Sequence, residues 1–430
     1  MPFSQLFLSL LLFLLYSITK ADQPEELQLV FVSALFRHGD RSPSVPFPHD
    51  HVLPREWNSG GGRYGELTAL GMSQMFDLGV RLRREFVDGD NAFLSSKYNS
   101  REIYVRSTDR NRTLVSGISA MLGMYSSNQS NTVPGIDYPT ESAWPSFYIP
   151  IPVHTVEGNS DFILIPTDPC PRQLDLQKLA MKTAEYHNFW NNDYTKNIYA
   201  YLQEKLKTPP LVPWSIHWIR DDLNEEKITF PDKFYSWYPW YTKDIEDRVK
   251  MVDDQLMSFH NGIFADGVID GIDLKVELPK IRGGPLLQEI YNRGMNAVNC
   301  WKKNNLNESS PCSKDDPFST NLKFYAMSAH DVTLLSYLIV LGAKPFLVPH
   351  PILPDYAASV LTEFFVNTTS TDTLFRLRYR DNPDEDFYVA TSYVRGCSLD
   401  NQFCDISNMK SIYDQFVPDD IHTLCNTPLF

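Results

Sequence analysis

The sequence predicts an α/β protein: a mostly parallel central sheet flanked by helices, with a smaller helical cap inserted in the chain. Three observations carry this expectation. Short apolar runs rich in extended-chain formers end abruptly at polar tips, at Leu29–Phe36, Ile103–Val105 and Phe324–Ser328. Two of those tips lead into helical patterns, from Thr113 onward and from Val332 to Leu341. Between them, Gln173–Trp190 and Ile245–Phe259 repeat apolar residues at helical spacing, which predicts a mainly helical segment. The expected organisation is a leader at 1–21, an α/β unit built from 22–171 and 290–430, and a cap over 172–289. No internal repeat or low-complexity linker interrupts it.

The first strand is predicted from Leu29–Phe36, where only Ser33 is polar, the pattern of a strand buried on both faces in a parallel sheet. It ends in Arg37-His38-Gly39-Asp40-Arg41-Ser42-Pro43. A turn there sets an imidazole between two guanidiniums, whose planar forks suit the oxygens of a phosphate dianion. A histidine held at that anion is placed to attack phosphorus. A strand-end turn with surface charges is the simpler alternative. Five specified residues in seven should nevertheless occur by chance in only about one in ten thousand chains of this length.

The second predicted tip, Ile103-Tyr104-Val105-Arg106-Ser107-Thr108-Asp109, carries an arginine. The third, after Phe324–Ser328, carries Ala329-His330-Asp331, with a helix expected to begin at Asp331. Open parallel sheets bind ligands at the carboxyl ends of their strands, where such junctions collect. The His-Asp pair is a weak signal alone and gains weight beside the other two tips.

At these residues the chain resembles the histidine acid phosphatases, in the branch that includes the prostatic and lysosomal enzymes of animals. Pro150–Val156, Asp168–Arg172, Arg282-Gly283-Gly284 and Tyr356–Glu363 extend the likeness through most of the chain. The resemblance implies that His38 accepts the phosphoryl group and that Arg37, Arg41, Arg106 and His330 hold the phosphate oxygens. It also implies that Asp331 protonates the leaving alcohol. Physical chemistry fits these roles: phosphoryl transfer asks mainly for positioning and charge cancellation. Three arginines and a protonated His330 would supply both without a metal or cofactor. Neighbouring guanidiniums should depress the His38 pKa and preserve neutral imidazole. Asp331 must be protonated to act as an acid, so an acidic optimum is expected.

The charge balance agrees. A net charge of −14 over 430 residues disfavours nucleic acid as a partner. Leu6–Tyr16 is an apolar run of leader length, and Thr19–Ala21 fits a small-x-small cleavage site. The absence of a second long apolar run or a hydrophobic tail predicts a secreted or lumenal product without a transmembrane anchor. Six cysteines suit an oxidising compartment, and from the residues alone they allow fifteen pairings. The family likeness implies Cys170–Cys425 and Cys397–Cys404, which leaves Cys300 to Cys312. Relatives commonly have a cysteine where Ser359 stands here. Of four sequons, Asn128, Asn307 and Asn367 are the expected glycosylation sites, whereas Asn111 lies too near the proposed site.

Other features have simpler readings. His49-Asp50-His51 could ligate a metal but follows two prolines in a predicted loop, so surface histidines are the simpler account. No C-x-x-C or clustered His-Cys spacing supports a metal site. His217 and His260 fall in the cap without evident partners. The rings of Phe234, Tyr235, Trp237, Tyr238, Trp240 and Tyr241 read first as packing and second as an entrance favouring aromatic leaving groups. His154 resembles a position near a dimer contact, with Tyr148 a candidate partner, which makes a homodimer an expectation of the likeness. Expected substrates are small-molecule or phosphoprotein phosphate monoesters. The competing functions are inositol-polyphosphate hydrolysis, a secreted binding protein that retains the fold, and mutase-like phosphoryl transfer.

Overall fold

Strand β1 (Leu27–Arg37) lies inside the sheet, and from Val30 to Arg37 every residue is buried. The computed structural model describes residues 26–429 apart from 63, 90–91, 127–129, 167–169, 307–308, 310–311, 313–320 and 348–352. The leader and the sequons at Asn128 and Asn307 lie outside the described residues, as do residues 168 and 169 of one family signpost. The remaining strands are β2 (Ile103–Ser107), β3 (Val268–Ile269), β4 (Ile272–Asp273), β5 (Phe324–Ala329), β6 (Ser359–Asn367), β7 (Thr373–Arg380), β8 (Tyr388–Val389) and β9 (Cys404–Asp405). The main sheet runs β2-β5-β1-β6-β7-β8, with β9 on β7, while β3 and β4 form a separate hairpin.

The fold is α/β as expected, but the sheet is mixed. β2, β5 and β1 are parallel, and β6 to β9 join antiparallel. The reason is local. Only a short turn separates Asn367 from Thr373, and such a connection can return the chain only as a hairpin. The parallel strands, which need long crossovers, are confined to the part that carries the motif tips.

Alternation along β1 divides the core in two. Phe31 and Leu35 pack with Leu286, Leu287 and Ile290 of the helix Gly284–Leu306, and with Leu334 and Leu338 of the helix Asp331–Leu341. Val32, Ala34 and Phe36 pack on the other face with Met75, Leu78 and Leu82 of α1 (Ala69–Phe86) and Met121 and Met124 of α2 (Asn111–Tyr125). The helix Asp331–Leu341 is apolar almost throughout because it is buried nearly all round. It stops at Gly342, which adopts the left-handed conformation that glycine tolerates best.

Residues 171–282 are mainly helical, and their apolar side chains gather in a third cluster around Leu202, Leu223, Phe234, Val249 and Leu256. Within the aromatic concentration, Phe234, Tyr238 and Tyr241 are buried there, whereas Tyr235 is 55% exposed. Packing therefore accounts for most of those rings. His217 bonds Asp253 at 3.2 Å, and His260 packs edge-on to Trp214. His154 stacks on Tyr104 of the same chain at 4.5 Å, while Tyr148 packs beside Trp144. The disulfides are Cys170–Cys425, Cys300–Cys312 and Cys397–Cys404. Among the described residues no helix is long and apolar enough to cross a membrane.

The turn after β1 is pressed against the first turn of α1. A Cβ on Gly71 would lie 2.1 Å from the Asp40 carbonyl oxygen, and one on Gly39 would lie 2.3 Å from that of Gly71. Backbone cannot yield as a flexible side chain can, so the pair must be glycines. Gly71→Ala should destabilise the protein by about 1–3 kcal/mol through overpacking. Ser73→Ala, two residues on and exposed, should be neutral. Thermal melts of the two variants check this.

Candidate active site

Parallel register brings the three motif tips to one edge. Arg37 pairs with Ala329 across β1 and β5, and Ser107 pairs with Ser328 across β2 and β5. Antiparallel β6 begins where β1 ends, since Ser359 pairs with Phe36. The segment leading into β6 therefore crosses the same edge: Ala357 N–H donates to the His38 carbonyl at 3.1 Å, and Arg37 N–H to that of Ala358 at 2.9 Å.

His38 is buried, and its Nδ1 lies 2.8 Å from the Gly39 carbonyl oxygen. A carbonyl can only accept, so Nδ1 carries the hydrogen and Nε2 carries the lone pair. That nitrogen accepts from Arg112 Nε at 3.2 Å. Burial, then Arg112, Arg37 and Arg41, hold the imidazole well below its ordinary pKa. The ring is therefore neutral and oriented, with its nucleophilic nitrogen among guanidiniums.

Each arginine is held differently. Arg37 gives one amine to the Pro354 carbonyl at 2.8 Å and the other to Asp331 at 2.9 Å, while its guanidinium covers the Tyr356 ring at 4.1 Å. Arg41 makes a fork-to-fork pair with Asp221, at 3.1 and 2.7 Å. Asp221 lies on α3 (Ser215–Thr229) of the helical segment. Arg112 is different again: among the described residues no carboxylate lies within ion-pair distance of it. Burial lowers its pKa to about 10, which leaves it charged.

Arg106, expected at the phosphate, is not among these groups. Its guanidinium pairs with the buried Asp161 at 2.6 Å and lines a separate pocket with Phe162, Gln288, Glu289 and Asn292. The physical reason is the strand period. Side chains alternate along β2, and Arg106 falls on the face it shares with Tyr104, whereas Arg112 leaves the first turn of α2 towards His38. Arg112 thus replaces Arg106 in the group around His38. Its sequence signal was there to use, in Arg106-Ser-Thr-Asp-Arg110-Asn-Arg112 just before a helix, since helix N-termini favour anions.

His330 lies beside His38, and Asp331 is paired with Arg37. The His330 ring is 5.6 Å from that of His38, and its Nε2 lies 2.9 Å from the Thr108 hydroxyl. Burial and Arg112 push its pKa down to about 3, so it is a neutral donor or acceptor rather than the cation expected. Burial works to raise the Asp331 carboxyl. Arg37 above all outweighs it, with His217 and Arg41 adding to the effect, and holds it below its ordinary value. Tyr356, which the sequence singled out without a role, packs beside His38 and donates its hydroxyl to Glu225 of α3. Nothing local marks Asp221 or Glu225, because their partners are 180 and 131 residues away.

The depressed pKa of Asp331 stabilises the fold above its unfolded value of about 3.9, and that contribution is lost as pH falls through the folded value. Neutral His38 and His330 act in the same direction. They favour the fold above about pH 6.5 and lose that advantage as pH falls towards their own depressed values. An anion among the guanidiniums should relieve this by drawing a proton onto His330. In mildly acidic buffer the His330 ring should titrate as neutral by NMR, then become protonated when inorganic phosphate is added. Arg112→Gln should weaken phosphate binding about tenfold to a hundredfold, the size of one charge-assisted contact. Arg106→Gln should leave affinity within about twofold while lowering the melting point, because it strands the buried Asp161. Calorimetric titration and thermal melts separate the two arginines.

Comparison with known proteins gives the same family from sequence and the same fold from structure. The sequence model of the Histidine phosphatase superfamily (branch 2) matches residues 28–380. A Caenorhabditis elegans protein named as an acid phosphatase is 32% identical over 427 residues, covering 99% of this chain and 94% of that one. Lysosomal acid phosphatase of Xenopus laevis is 29% identical over 98% of this chain and 84% of its own. Prostatic acid phosphatase of Homo sapiens is 26% identical over 93% and 88%. Among solved structures, the apo form of Hafnia alvei phytase superposes with a TM-score of 0.62 at 15% identity, covering 95% of this chain and all of that one. A family match across most of the chain, over a mixed sheet whose strand tips gather two histidines and three arginines, has one meaning: the chain belongs to branch 2 of the histidine phosphatase superfamily.

Proposed function

We propose that the protein is a secreted or lumenal acid phosphatase that hydrolyses phosphate monoesters through a phosphohistidine at His38, without a metal ion and fastest in acid. The observation that carries the reading is the fixed tautomer of His38, whose Nε2 lone pair opens towards Arg112 between Arg37 and Arg41. In the first step Nε2 attacks phosphorus, the N–P bond forms and the bond to the leaving oxygen breaks. Arg37, Arg41, Arg112 and His330 cancel charge on the equatorial oxygens, and the Asp331 carboxyl gives its proton to the leaving alkoxide. In the second step Asp331, now a carboxylate, takes a proton from water as its oxygen attacks phosphorus. The N–P bond breaks, releasing phosphate and neutral His38.

Asp331 must be protonated in the first step, although its pair with Arg37 favours the carboxylate. The substrate resolves this conflict. When phosphate oxygens occupy Arg37, its pull on Asp331 falls and a new negative charge faces the carboxyl, so both changes raise the pKa. The limb on which activity falls as pH rises is thus set by the complex rather than by the free protein. The charge cancellation a metal would supply is assigned to the guanidiniums. Residues 172–289 are proposed as a cap that braces the site, since Asp221 and Glu225 of α3 hold Arg41 and Tyr356. Glycosylation is proposed at Asn128, Asn307 and Asn367, the last beside an exposed turn at 368–370. The relatives named for lysosome and prostate support the secretory assignment.

The test is phosphate release from an aryl phosphate in acidic buffer with chelator present. Wild type should turn over and, on rapid quenching, carry an acid-labile phosphate; His38→Ala should do neither. A folded wild-type protein without turnover would overturn the proposal. Asp331→Asn should slow alkyl phosphates by about 10²–10⁴-fold, the usual worth of a general acid, and aryl phosphates with good leaving groups far less. In wild type the alkyl rate should fall as pH rises through the Asp331 pKa in the complex. That limb should be absent in Asp331→Asn, which a pH–rate profile checks.

A further inference from the structure

We propose that Asp50, Asp222 and Glu226 form a binding site for Ca2+, which clamps the loop after β1 to α3. One carboxylate oxygen from each residue lies within 4.8 Å of the others, a spacing that a cation about 2.4 Å from each can bridge. Asp222 and Glu226 are four apart on α3 and so share one helix face, while Asp50 approaches from the loop.

The second observation is what these groups lack. Glu226 is fully buried, and neither of its carboxylate oxygens has a hydrogen-bond partner. Asp222 is fully buried as well: its Oδ2 accepts from Phe47 N–H at 2.9 Å, while Oδ1 has no partner. Asp50 Oδ1 accepts from Val52 N–H at 2.7 Å and from the Tyr238 hydroxyl at 3.4 Å, while Oδ2 has none. The four unpartnered oxygens belong to one three-residue group. Among the described residues no lysine or arginine forms an ion pair with any of the three. A buried carboxylate left this way costs several kcal/mol, so the group calls for an external positive charge.

The ligand chemistry selects the ion. An all-oxygen carboxylate set suits hard cations rather than zinc or copper. His51, next to Asp50, does not join it and stacks on Trp237 instead. A buried site leaves little room for the water shell that Mg2+ retains, whereas Ca2+ accepts irregular carboxylate cages. Three carboxylates against two charges leave one negative charge, which nearby Arg41 offsets in part.

Position gives the site its consequence. Asp221 and Glu225, each one residue before a proposed ligand, hold Arg41 and Tyr356. An ion at Asp222 and Glu226 would fix the helix that positions those groups while touching none of the phosphate contacts. The inference does not depend on the phosphatase reading, and its test reads binding and stability rather than turnover.

The experiment melts the full chain in neutral buffer with chelator or with Ca2+ on the order of a millimolar, the range of extracellular calcium modules. Ca2+ should raise the midpoint by a few degrees and saturate. It should also displace Tb3+, whose luminescence Tyr238 would sensitise. The double variant Asp222→Asn, Glu226→Gln should lose both responses, yet melt in chelator at or above wild type because like-charge repulsion is gone. If that variant does not fold, Asp50→Asn carries the same readings. No shift in wild type, or a shift that persists in the variants, would overturn the proposal and leave shared protons to neutralise the group.

Discussion

The active edge depends on holding several guanidiniums around an imidazole that must stay neutral. Arg37, Arg41 and Arg112 all act to lower the His38 pKa, and burial strengthens each of them. Such a cluster could not be buried without counter-charge. Arg37 leans on Asp331, and Arg41 on Asp221. Arg112 is left to the imidazole alone, with a pKa pulled down to about 10. The least compensated cation is thus the one that touches His38 Nε2. An arriving dianion gains most from it, while the paired arginines hold the geometry in readiness.

The remaining architecture serves that cluster. Parallel β2, β5 and β1 align their carboxyl ends, but they supply no counter-charge for Arg41 and no support beneath His38. Those come from elements running otherwise. β6 is antiparallel, so its start rather than its end lies at the edge, and this delivers Tyr356. α3 crosses from the helical segment with Asp221 and Glu225 on one face. The mixed character of the sheet is therefore a condition for completing the site, not an ornament on a parallel fold.

What the sequence made legible was what local pattern controls. An apolar run bounded by charges marked β1 and β5. His38, Arg37, Arg41, His330 and Asp331 could be read because each sits within four residues of a buried strand end. Arg106 and Arg112 show the limit. Both lie in one short arginine-rich stretch, and choosing between them requires knowing which face of β2 meets Asp161 and how α2 leaves the strand. The strand period says that Arg106 shares a face with Tyr104, but only packing says what that face meets. Asp221 and Glu225 were harder still, for an acidic residue on a helix normally reads as a solvated face. Only the fold shows that α3 turns four carboxylates inward.

Those inward carboxylates change how the whole protein meets acid. Neutral imidazoles at His38 and His330 favour the fold less as pH falls, because the unfolded chain binds protons that the buried rings refuse. Glu225, Asp222 and Glu226 have raised pKa values and act in the opposite direction. Their stabilising contribution is present below their unfolded values and is lost as pH rises through the folded ones. Two buried clusters of opposite charge, joined through Arg41 and Asp221, therefore respond to pH with opposite signs. A protein that used only the first would weaken steadily as pH falls. Setting an acidic helix behind a basic site opposes that loss as pH falls, because the buried carboxyls keep protons that the unfolded chain gives up.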